Sequence, residues 1–298
     1  MRWTRWGPRR FTRLPKSLKG KVVVITGANT GIGKINATLM AKLGAKVVMA
    51  CRDMAKAHIA AEDVAKEAKQ SDDDNVVVMK LDLSSLASVR QFAKELSEKV
   101  SQIDILINNA GVMMCPHWKT DDGFEMQFGT NHLGHFLMTL LLLPLLRRAP
   151  AARIINVSSV AHLRGKINFD DINSDTKYNK MNAYSQSKLA NVLFTRELAN
   201  KLSDTRITCY ALHPGVIDTD LYRHMDGFLG FMTRLFNTIT MISADLGAQT
   251  THYCALEESL SGETGRYYKN CGRVDNMVPN AKNKFFIVDR HKKILFLE

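Results

Sequence analysis

Tyr184 and Lys188 stand four positions apart in the stretch YSQSK, and a serine pair, Ser158-Ser159, lies upstream of them. Four-residue spacing places a phenol and an ammonium on one face of a helix. A free phenol has a pKa of about 10, and a neighbouring positive charge favours its phenolate and lowers that pKa. The pair therefore suits proton transfer at a substrate oxygen, although a tyrosine and a lysine on one helical face are also common without any function.

A glycine-rich turn, TGANTGIG at residues 26–33, follows the first apolar run of the chain. Glycines let the backbone turn tightly and approach a pyrophosphate, which the amino terminus of the next helix can bind. The alternative is a glycine-rich turn without a ligand. Its position between a strand and a helix favours a dinucleotide, for which we predict contacts from Thr26, Gly27, Asn29, Thr30, Gly31, Ile32 and Gly33.

The end of the second apolar run indicates which dinucleotide is bound. NAD-binding proteins of this type place a carboxylate there for the ribose hydroxyls, whereas this chain has the neutral Cys51 followed by Arg52. A guanidinium binds a 2′-phosphate through paired hydrogen bonds and stacks on adenine. We therefore predict NADP(H), with Arg52 on its phosphate. The alternative makes Arg52 a solvated surface residue, and Asp53 is predicted to cap the next helix.

Two further segments are predicted to face the cofactor. Asp82 follows the third apolar run, where its carboxylate either accepts a hydrogen bond from the adenine amino group or caps the next helix. The fourth run ends in NNAG, whose amides and glycine fit a close backbone approach to the cofactor. From this stretch we predict contacts by Asn109, Ala110 and Gly111.

These segments require a sheet that brings the ends of its strands together. Buried parallel strands are predicted at Val22–Thr26, Lys46–Ala50, Val76–Leu81, Ile105–Asn108, Arg153–Ser158 and Ile207–His213. Helices are predicted at Gly31–Leu43, Met54–Lys69, Leu86–Val100, Phe124–Leu146 and Ala183–Leu202. The alternation predicts one α/β domain over residues 20–298, a doubly wound parallel sheet with helices on both faces. Its ligand crevice is expected at the carboxyl ends of the strands.

Composition and charge exclude several other classes of protein. The chain is 45% hydrophobic and 23% charged, which is typical of a globular domain and not of a disordered or fibrous chain. Eight of its 41 basic side chains, and no acidic one, fall within residues 1–21. The remainder is close to neutral, which argues against a nucleic-acid groove. Five cysteines without metal-ligand spacing predict reduced core thiols and no metal site.

In chain order, the motifs TGANTGIG, NNAG, NHLGHF, NVSS, YSQSK and HPG resemble those of the short-chain dehydrogenase/reductase superfamily. The stretches ACRD, NHLGHF, NVSSVAH and INFDDIN resemble its retinol dehydrogenase branch, which includes NADP(H)-dependent retinal reductases. The resemblance covers about Lys19 to Glu298. It implies a Rossmann-type fold with a helical substrate lid at about residues 218–242.

The resemblance also implies a role for each matching residue. Tyr184 would be the general acid in carbonyl reduction, and Ser159, the second serine of the pair, would hydrogen-bond the carbonyl oxygen. Lys188 would bind the cofactor ribose and tune Tyr184, while Asn131 would hold a water that relays protons to Lys188. The loop near the nicotinamide would be formed by Pro214, Gly215 and Val216. Thr219 would supply the hydroxyl that binds the nicotinamide amide or the phosphates.

The resemblance thus implies an NADP(H)-dependent oxidoreductase of a lipophilic alcohol and its carbonyl, with retinol and retinal preferred. Steroid or lipid-derived carbonyls are the alternative substrates. A non-catalytic cofactor-binding regulator is the rival class, and it is disfavoured because Asn131, Ser159, Tyr184 and Lys188 are all present. Apolar residues at 220–242 are spaced as in a helix core face or an apolar lid, and Met113 and Met114 are candidates to line the same pocket.

The basic segment at residues 1–19 is predicted to contact membranes peripherally, since cations attract anionic lipid and Trp3, Trp6 and Phe11 suit the headgroup layer. It also resembles a mitochondrial targeting segment. There are two alternatives. The segment is a solvated tail, or the hydrophobic anchor with which the retinol branch typically begins has been lost from the sequence. The protein is expected inside the cell, facing the cytosol, with membrane association at the endoplasmic reticulum or mitochondrion. The apolar run at 136–146 is too short to span a bilayer.

Overall fold

A mostly parallel sheet forms the centre of the computed structural model, which describes residues 9–69, 75–215 and 242–275. Within these ranges its strands lie in the order β3-β2-β1-β4-β5-β6-β7-β8. The strands are β1 Val22–Thr26, β2 Lys46–Cys51, β3 Val76–Lys80, β4 Ile105–Asn108, β5 Ala152–Val157, β6 Ile207–His213, β7 Arg266–Lys269 and β8 Gly272–Arg273. β1 to β7 pair in parallel and β8 pairs antiparallel with β7.

The six strands predicted from apolar runs are confirmed to within one residue at each end. Valine and isoleucine fill them because both faces of the sheet are covered, and all five residues of β1 are buried. The prediction missed β7 and β8. In β7 only Tyr267 and Tyr268 are buried, between an exposed arginine and an exposed lysine, so four residues carry no apolar run.

Helices cover both faces of the sheet, as predicted. They are α1 Gly31–Lys42, α2 Met54–Ala68, α3 Leu86–Lys99, α4 Met126–Phe128, α5 Gly134–Arg148, α6 Lys180–Lys201 and α7 Ala244–Leu256. One apolar core joins α1, α2 and α7 to one face of the sheet, and a second core joins α3, α5 and α6 to the other. β1 lies next to β4 in parallel pairing. Strands β1 to β3 therefore extend the sheet in one direction, and strands from β4 onward extend it in the other. In a doubly wound sheet this reversal opens the ligand crevice.

The helix predicted at Phe124–Leu146 is confirmed as an unbroken helical stretch from Met126 to Arg148, but a π turn that was not predicted divides it into α4 and α5. Glu125 caps the short α4 by accepting hydrogen bonds from the amides of Gln127 and Phe128. A π-helical turn, Gly129–Leu133, then leads into α5. A π turn shifts the backbone hydrogen bonds by one residue and is frequent at functional sites. The buried helix expected from the apolar run is α5, which tolerates Pro144 near its carboxyl end.

No helix within the described ranges is long and apolar enough to cross a bilayer. All five cysteines are free thiols. Four of them are buried in the core as predicted, whereas Cys271 is only half-buried.

The described part of the basic amino-terminal segment packs against the domain. The Arg10 guanidinium lies 2.7 Å from the Asp245 carboxylate at the start of α7. The Phe11 amide donates to Gln249 Oε1 at 2.9 Å, and its ring meets the Tyr253 ring edge-on, with centroids 5.7 Å apart. Phe11 and Arg10 therefore contact protein and not solvent alone. This docking was not predicted.

Candidate active site

A cavity of about 690 Å³ lies at the carboxyl ends of the strands. Its lining includes most of the residues predicted to bind the cofactor or substrate: Gly27, Asn29, Thr30, Gly31, Ile32, Gly33, Arg52, Asp82, Asn109, Ala110, Gly111, Ser159, Tyr184, Lys188, Pro214 and Gly215. The other predicted residues divide into two groups. Thr26 and Asn131 are buried and do not line the cavity. Val216 lies outside the described residues, and so does the predicted lid at about 218–242, which includes Thr219, except for residue 242.

The glycine-rich turn is shaped so that only glycine fits its key positions. Gly27 and Gly31 have φ angles of 63° and 52°, in the left-handed region that favours glycine. A Cβ on Gly33 would lie 2.2 Å from the Gly27 carbonyl oxygen and 2.7 Å from Asn109 Nδ2. α1 can therefore begin directly against β1 and β4, with its amide groups at the cavity. This arrangement fits the pyrophosphate of a dinucleotide.

Thr26 supports the cavity from behind. Its side chain is fully buried, and Oγ1 accepts hydrogen bonds from the amides of Asn109 and Ala110, each at 2.9 Å. Asn109 Nδ2 returns a hydrogen bond to the Thr26 carbonyl at 2.9 Å. The side chain of Thr26 thus fixes the backbone of the NNAG stretch, and in this conformation it is too deeply buried to touch a ligand. Its predicted direct contact with the cofactor is replaced by a supporting one.

β2 ends at the uncharged Cys51, and beside it the cavity is lined by Arg52, Asp53 and Lys56, with Lys56 Nζ 3.8 Å from the Asp53 carboxylate. Burial raises the pKa of the Cys51 thiol to about 11, so this position is neutral at pH 7. Arg52 lines the cavity, and Asp53 caps α2 by accepting from the Lys56 amide at 3.1 Å, as predicted. Lys56 lines the cavity too and was missed in the sequence. Its position in the first turn of α2, four residues after Arg52, was the signal that could have revealed it.

Two more residues of the lining, Lys34 and Asp63, lie between α1 and α2 and were also missed in the sequence. Lys34 Nζ lies 2.6 Å from the Asp63 carboxylate, and this partner holds the pKa of Asp63 below its usual range. The two residues are 29 positions apart in the chain. Their pairing follows from the packing of α1 on α2 and has no local sequence signal.

Asp82 forms a local turn and does not cap the next helix. Its Oδ1 accepts from the amide and the hydroxyl of Ser84, at 2.9 Å and 2.6 Å. α3 begins after Ser85, and the Leu86 amide donates to Asp122 at 2.8 Å. Of the two roles weighed for Asp82, the cap is excluded by this geometry. Contact with the cofactor remains a prediction, and the residue lines the cavity.

The two serines after β5 differ in their surroundings. Ser158 is buried, and its hydroxyl donates to the Lys188 carbonyl at 2.7 Å. Ser159 begins the 3₁₀ turn Val160–Arg164, and its Oγ accepts from the Ala161 amide at 3.2 Å. An accepting hydroxyl keeps its own hydrogen for another partner. Ser159 is thus the serine whose hydroxyl can donate to a substrate oxygen in the cavity.

Tyr184 and Lys188 share one face of α6, as their spacing predicted. Lys188 Nζ lies 5.7 Å from the centroid of the Tyr184 ring and donates to the Val157 carbonyl at 3.1 Å. Burial lowers the pKa of Lys188 to about 8, so its ammonium form predominates at neutral pH. A positive charge next to a phenol favours the phenolate. The geometry therefore supports proton transfer by Tyr184.

Asn131 lies in the π turn, on the other side of Gly111 from the cavity. Its Oδ1 accepts from the Val112 amide at 2.8 Å, and its Nδ2 donates to the Val112 carbonyl at 2.9 Å and to Ser187 Oγ at 3.0 Å. A Cβ on Gly111 would lie 3.2 Å from Asn131 Oδ1 and 3.5 Å from Lys188 Nζ. Asn131 is therefore close to Lys188, and its predicted relay water stays a prediction.

The substrate side of the cavity is defined in part. Met113 lines the cavity, as the sequence suggested, and so does His213, which precedes Pro214. Burial lowers the pKa of His213 to about 4, so it is neutral at pH 7. Among the described residues no group of three histidine, cysteine or acidic side chains could hold a metal ion.

A glycine turn at the reversal of a doubly wound sheet, opening onto a tyrosine and a lysine on one helix, defines a dinucleotide-dependent oxidoreductase. The family model described as short chain dehydrogenase matches residues 21–227, so the chain belongs to the short-chain dehydrogenase/reductase superfamily. A nicotinamide dinucleotide is the cofactor of this superfamily.

Curated relatives place the chain in the retinol dehydrogenase branch of this superfamily, and a solved structure shares its fold. Retinol dehydrogenase 12 of Homo sapiens is 51% identical over 266 residues, which cover 89% of this chain and 82% of the relative. Retinol dehydrogenase 14 of Mus musculus is 47% identical over 91% of this chain and 83% of its own length. The crystal structure of an uncharacterised protein from Mycobacterium paratuberculosis superposes with a TM-score of 0.74 at 39% identity, over 93% of this chain and 92% of the other.

Proposed function

We propose that the protein is an NADP(H)-dependent oxidoreductase that interconverts a lipophilic alcohol and its aldehyde or ketone, with retinol and retinal as the preferred pair. The observation that carries this proposal is that Ser159, Tyr184 and Lys188 open onto the same cavity as the glycine turn and Arg52. The names of the curated relatives support a retinoid substrate.

In carbonyl reduction, Ser159 donates its hydroxyl hydrogen to the substrate oxygen and holds it beside Tyr184. Tyr184 then protonates that oxygen as negative charge develops on it. Lys188 stabilises the resulting phenolate through its charge and binds the cofactor ribose. When bound, the nicotinamide supplies the hydride in reduction and accepts it in oxidation. In oxidation Tyr184 takes the alcohol proton, so the same three side chains serve both directions.

The preference for NADP(H) rests on the charges at the end of β2. A buried neutral thiol stands where an NAD-specific site needs a carboxylate, and Arg52 and Lys56 both line the cavity beside it. These two cations suit a 2′-phosphate, which only NADP(H) carries.

Arg52→Ala is expected to weaken NADPH binding by roughly ten- to a hundred-fold, the effect of losing one charge-assisted hydrogen bond. NADH binding is expected to change little, because NADH has no phosphate at this position. Fluorescence titration of both cofactors measures the effect. Arg90→Ala, at an exposed position of α3 outside the cavity lining, is the matched control. Equal losses for the two cofactors would show that Arg52 has a structural role only.

The substrate class is tested by turnover of the full-length protein with NADPH and with NADH. Each cofactor is paired with retinal, a steroid ketone and a medium-chain aldehyde. We expect the highest kcat/KM for retinal with NADPH. Preference for a steroid or lipid-derived carbonyl would transfer the proposal to that substrate. Absence of turnover with every pair, despite NADPH binding, would instead support a non-catalytic regulator.

We further propose that residues 1–8 bring the protein to anionic lipid surfaces. The segment carries Arg2, Arg5, Trp3 and Trp6 without an acidic residue, and each basic residue near an anionic membrane contributes about 1 kcal/mol. Arg10 and Phe11, in contrast, contact α7. Deletion of residues 2–8 therefore tests the lipid contact without removing the docked segment.

The full chain is expected to sediment with anionic vesicles at low salt and to be released at high salt, because surface charges are screened. The shortened chain is expected to bind less. If both chains stay in the supernatant at low salt, the membrane proposal is wrong.

A further inference from the structure

His135 lies in the first turn of α5 and connects two parts of the site that are far apart in the sequence. The residue is buried, and its two ring nitrogens contact different elements. Nε2 lies 2.8 Å from Thr26 Oγ1 at the end of β1, and Nδ1 lies 3.1 Å from the Asn131 carbonyl in the π turn. Neither contact was expected from the sequence.

The direction of each hydrogen bond follows from counting donors. Thr26 Oγ1 already accepts from the amides of Asn109 and Ala110, so its own hydrogen points to His135 Nε2. Nε2 is therefore the unprotonated nitrogen, and Nδ1 carries the hydrogen that it donates to the Asn131 carbonyl. Burial lowers the pKa of His135 to about 3, in agreement with a neutral ring.

The hydrogen bonds around His135 belong to a closed network that fixes one wall of the cavity at both of its ends. At one end Thr26 fixes the amides of Asn109 and Ala110. At the other end the Asn131 side chain fixes both the amide and the carbonyl of Val112. Residues 109–112 form the wall between the glycine turn and Lys188. His135 is the side chain that joins the two ends.

We propose that His135 is a positioning residue that sets the wall at residues 109–112 for the cofactor and, through Asn131, the surroundings of Lys188. This inference rests on the proposed function, since it concerns how well NADPH binds and how fast the bound complex reacts. His135 itself is buried and does not line the cavity. A residue needed only for folding would occupy the same buried position, so the test must separate the two roles.

Two substitutions each preserve one of the two hydrogen bonds that His135 makes. His135→Asn places an amide where Nδ1 stands, so the Asn131 bond can be kept while the Thr26 bond is lost. His135→Gln places an amide where Nε2 stands and preserves the Thr26 bond instead. We expect His135→Asn to raise the Kd for NADPH about ten-fold with a smaller change in kcat, and His135→Gln to lower kcat about ten-fold with a smaller change in Kd, since small misplacements at a site can cost this much.

Thr139→Val is the matched control. Thr139 is buried on the same helix, and its Oγ1 accepts from Asn108 at 2.9 Å without contacting residues 109–112 in any described hydrogen bond. This variant is expected to lower the melting temperature as the His135 variants do, with NADPH affinity and kcat near those of the unmodified protein. It thereby calibrates the effect of losing one buried hydrogen bond from α5.

Kd is measured by NADPH fluorescence titration, kcat by retinal turnover and stability by thermal melting. The proposal is supported if His135→Asn changes mainly the Kd for NADPH and His135→Gln changes mainly kcat. Unchanged values in both variants, or losses that follow the melting temperature as in Thr139→Val, would overturn it. Failure of the proposed function appears separately, as an unmodified protein that binds NADPH and reduces no carbonyl. In that case the NADPH affinities of the two variants alone decide the role of His135.

Discussion

Replacement of Tyr184 by phenylalanine is expected to reduce kcat for retinal reduction by roughly 10²- to 10⁴-fold, the usual contribution of a positioned general acid. The Kd for NADPH is expected to stay within about two-fold, since a ring of the same shape remains against Lys188. Only the hydroxyl that supplies the proton is lost. Steady-state turnover together with NADPH fluorescence titration measures both values.

Tyr210→Phe is the matched control for that experiment. The Tyr210 hydroxyl is buried on β6 and donates to the Leu260 carbonyl at 2.7 Å, outside the cavity lining. Its loss is expected to change stability and to leave kcat nearly unchanged. Comparable turnover in Tyr184→Phe and Tyr210→Phe would contradict the assignment of the general acid.

Replacement of Lys188 is the second change with a large expected effect. Lys188→Ala is expected to raise the Kd for NADPH and to lower kcat, each by at least about ten-fold, because one ammonium serves both the ribose and Tyr184. The variant also leaves the Val157 carbonyl without its donor. Lys188→Met, which preserves most of the side-chain volume, separates loss of charge from loss of packing. Activity and NADPH affinity near normal in Lys188→Met would disprove the role.

The same lysine predicts a pH dependence. Burial lowers the pKa of Lys188 to about 8 from 10.5, so the ammonium form is lost as pH rises through about 8. We expect kcat/KM for reduction to fall across that pH, since this ratio reports ionisations of the free enzyme. In Lys188→Met this decline is expected to disappear while the overall rate is low. An unchanged alkaline decline in the variant would assign it to another group.

The linked effect on stability has the opposite direction. Between about pH 8 and 10.5 the unfolded chain binds more protons at Lys188 than the folded chain does. The contribution of this residue to the free energy of unfolding therefore rises with pH across that range. Activity and stability at mildly alkaline pH are thus expected to change in opposite directions through one side chain.

The sequence predicted the fold and the site best where a local structural requirement is met by only one kind of residue. Buried valine and isoleucine runs located the first six strands, and the glycine turn followed from backbone geometry that only glycine satisfies at Gly33. Tyr184 and Lys188 were placed on one face by helical spacing alone, and the structure agrees. Each of these inferences depended on contacts within a few residues or on a repeating pattern.

Contacts between distant segments could not be predicted in the same way. The π turn at Gly129–Leu133 lies inside a continuous helical stretch, and its shifted hydrogen bonds leave no mark on the apolar spacing of the sequence. Thr26 looked like a ligand residue because it begins the glycine turn, whereas its hydroxyl is used by a loop 83 residues away. The docking of Arg10 on Asp245 joins positions 235 apart. Such pairings depend on how the whole sheet assembles.

In the proposed function, this cavity transfers hydride between NADPH and a carbonyl carbon while Tyr184 supplies the proton. Mass analysis of the alcohol formed from retinal with NADPH deuterated at both C4 positions tests this transfer. We expect the unmodified protein to give retinol with one added deuterium and Tyr184→Phe to give almost no product in the same time. Retinol without deuterium, or retinal left unreduced by the NADPH-saturated protein, would contradict the proposed hydride transfer.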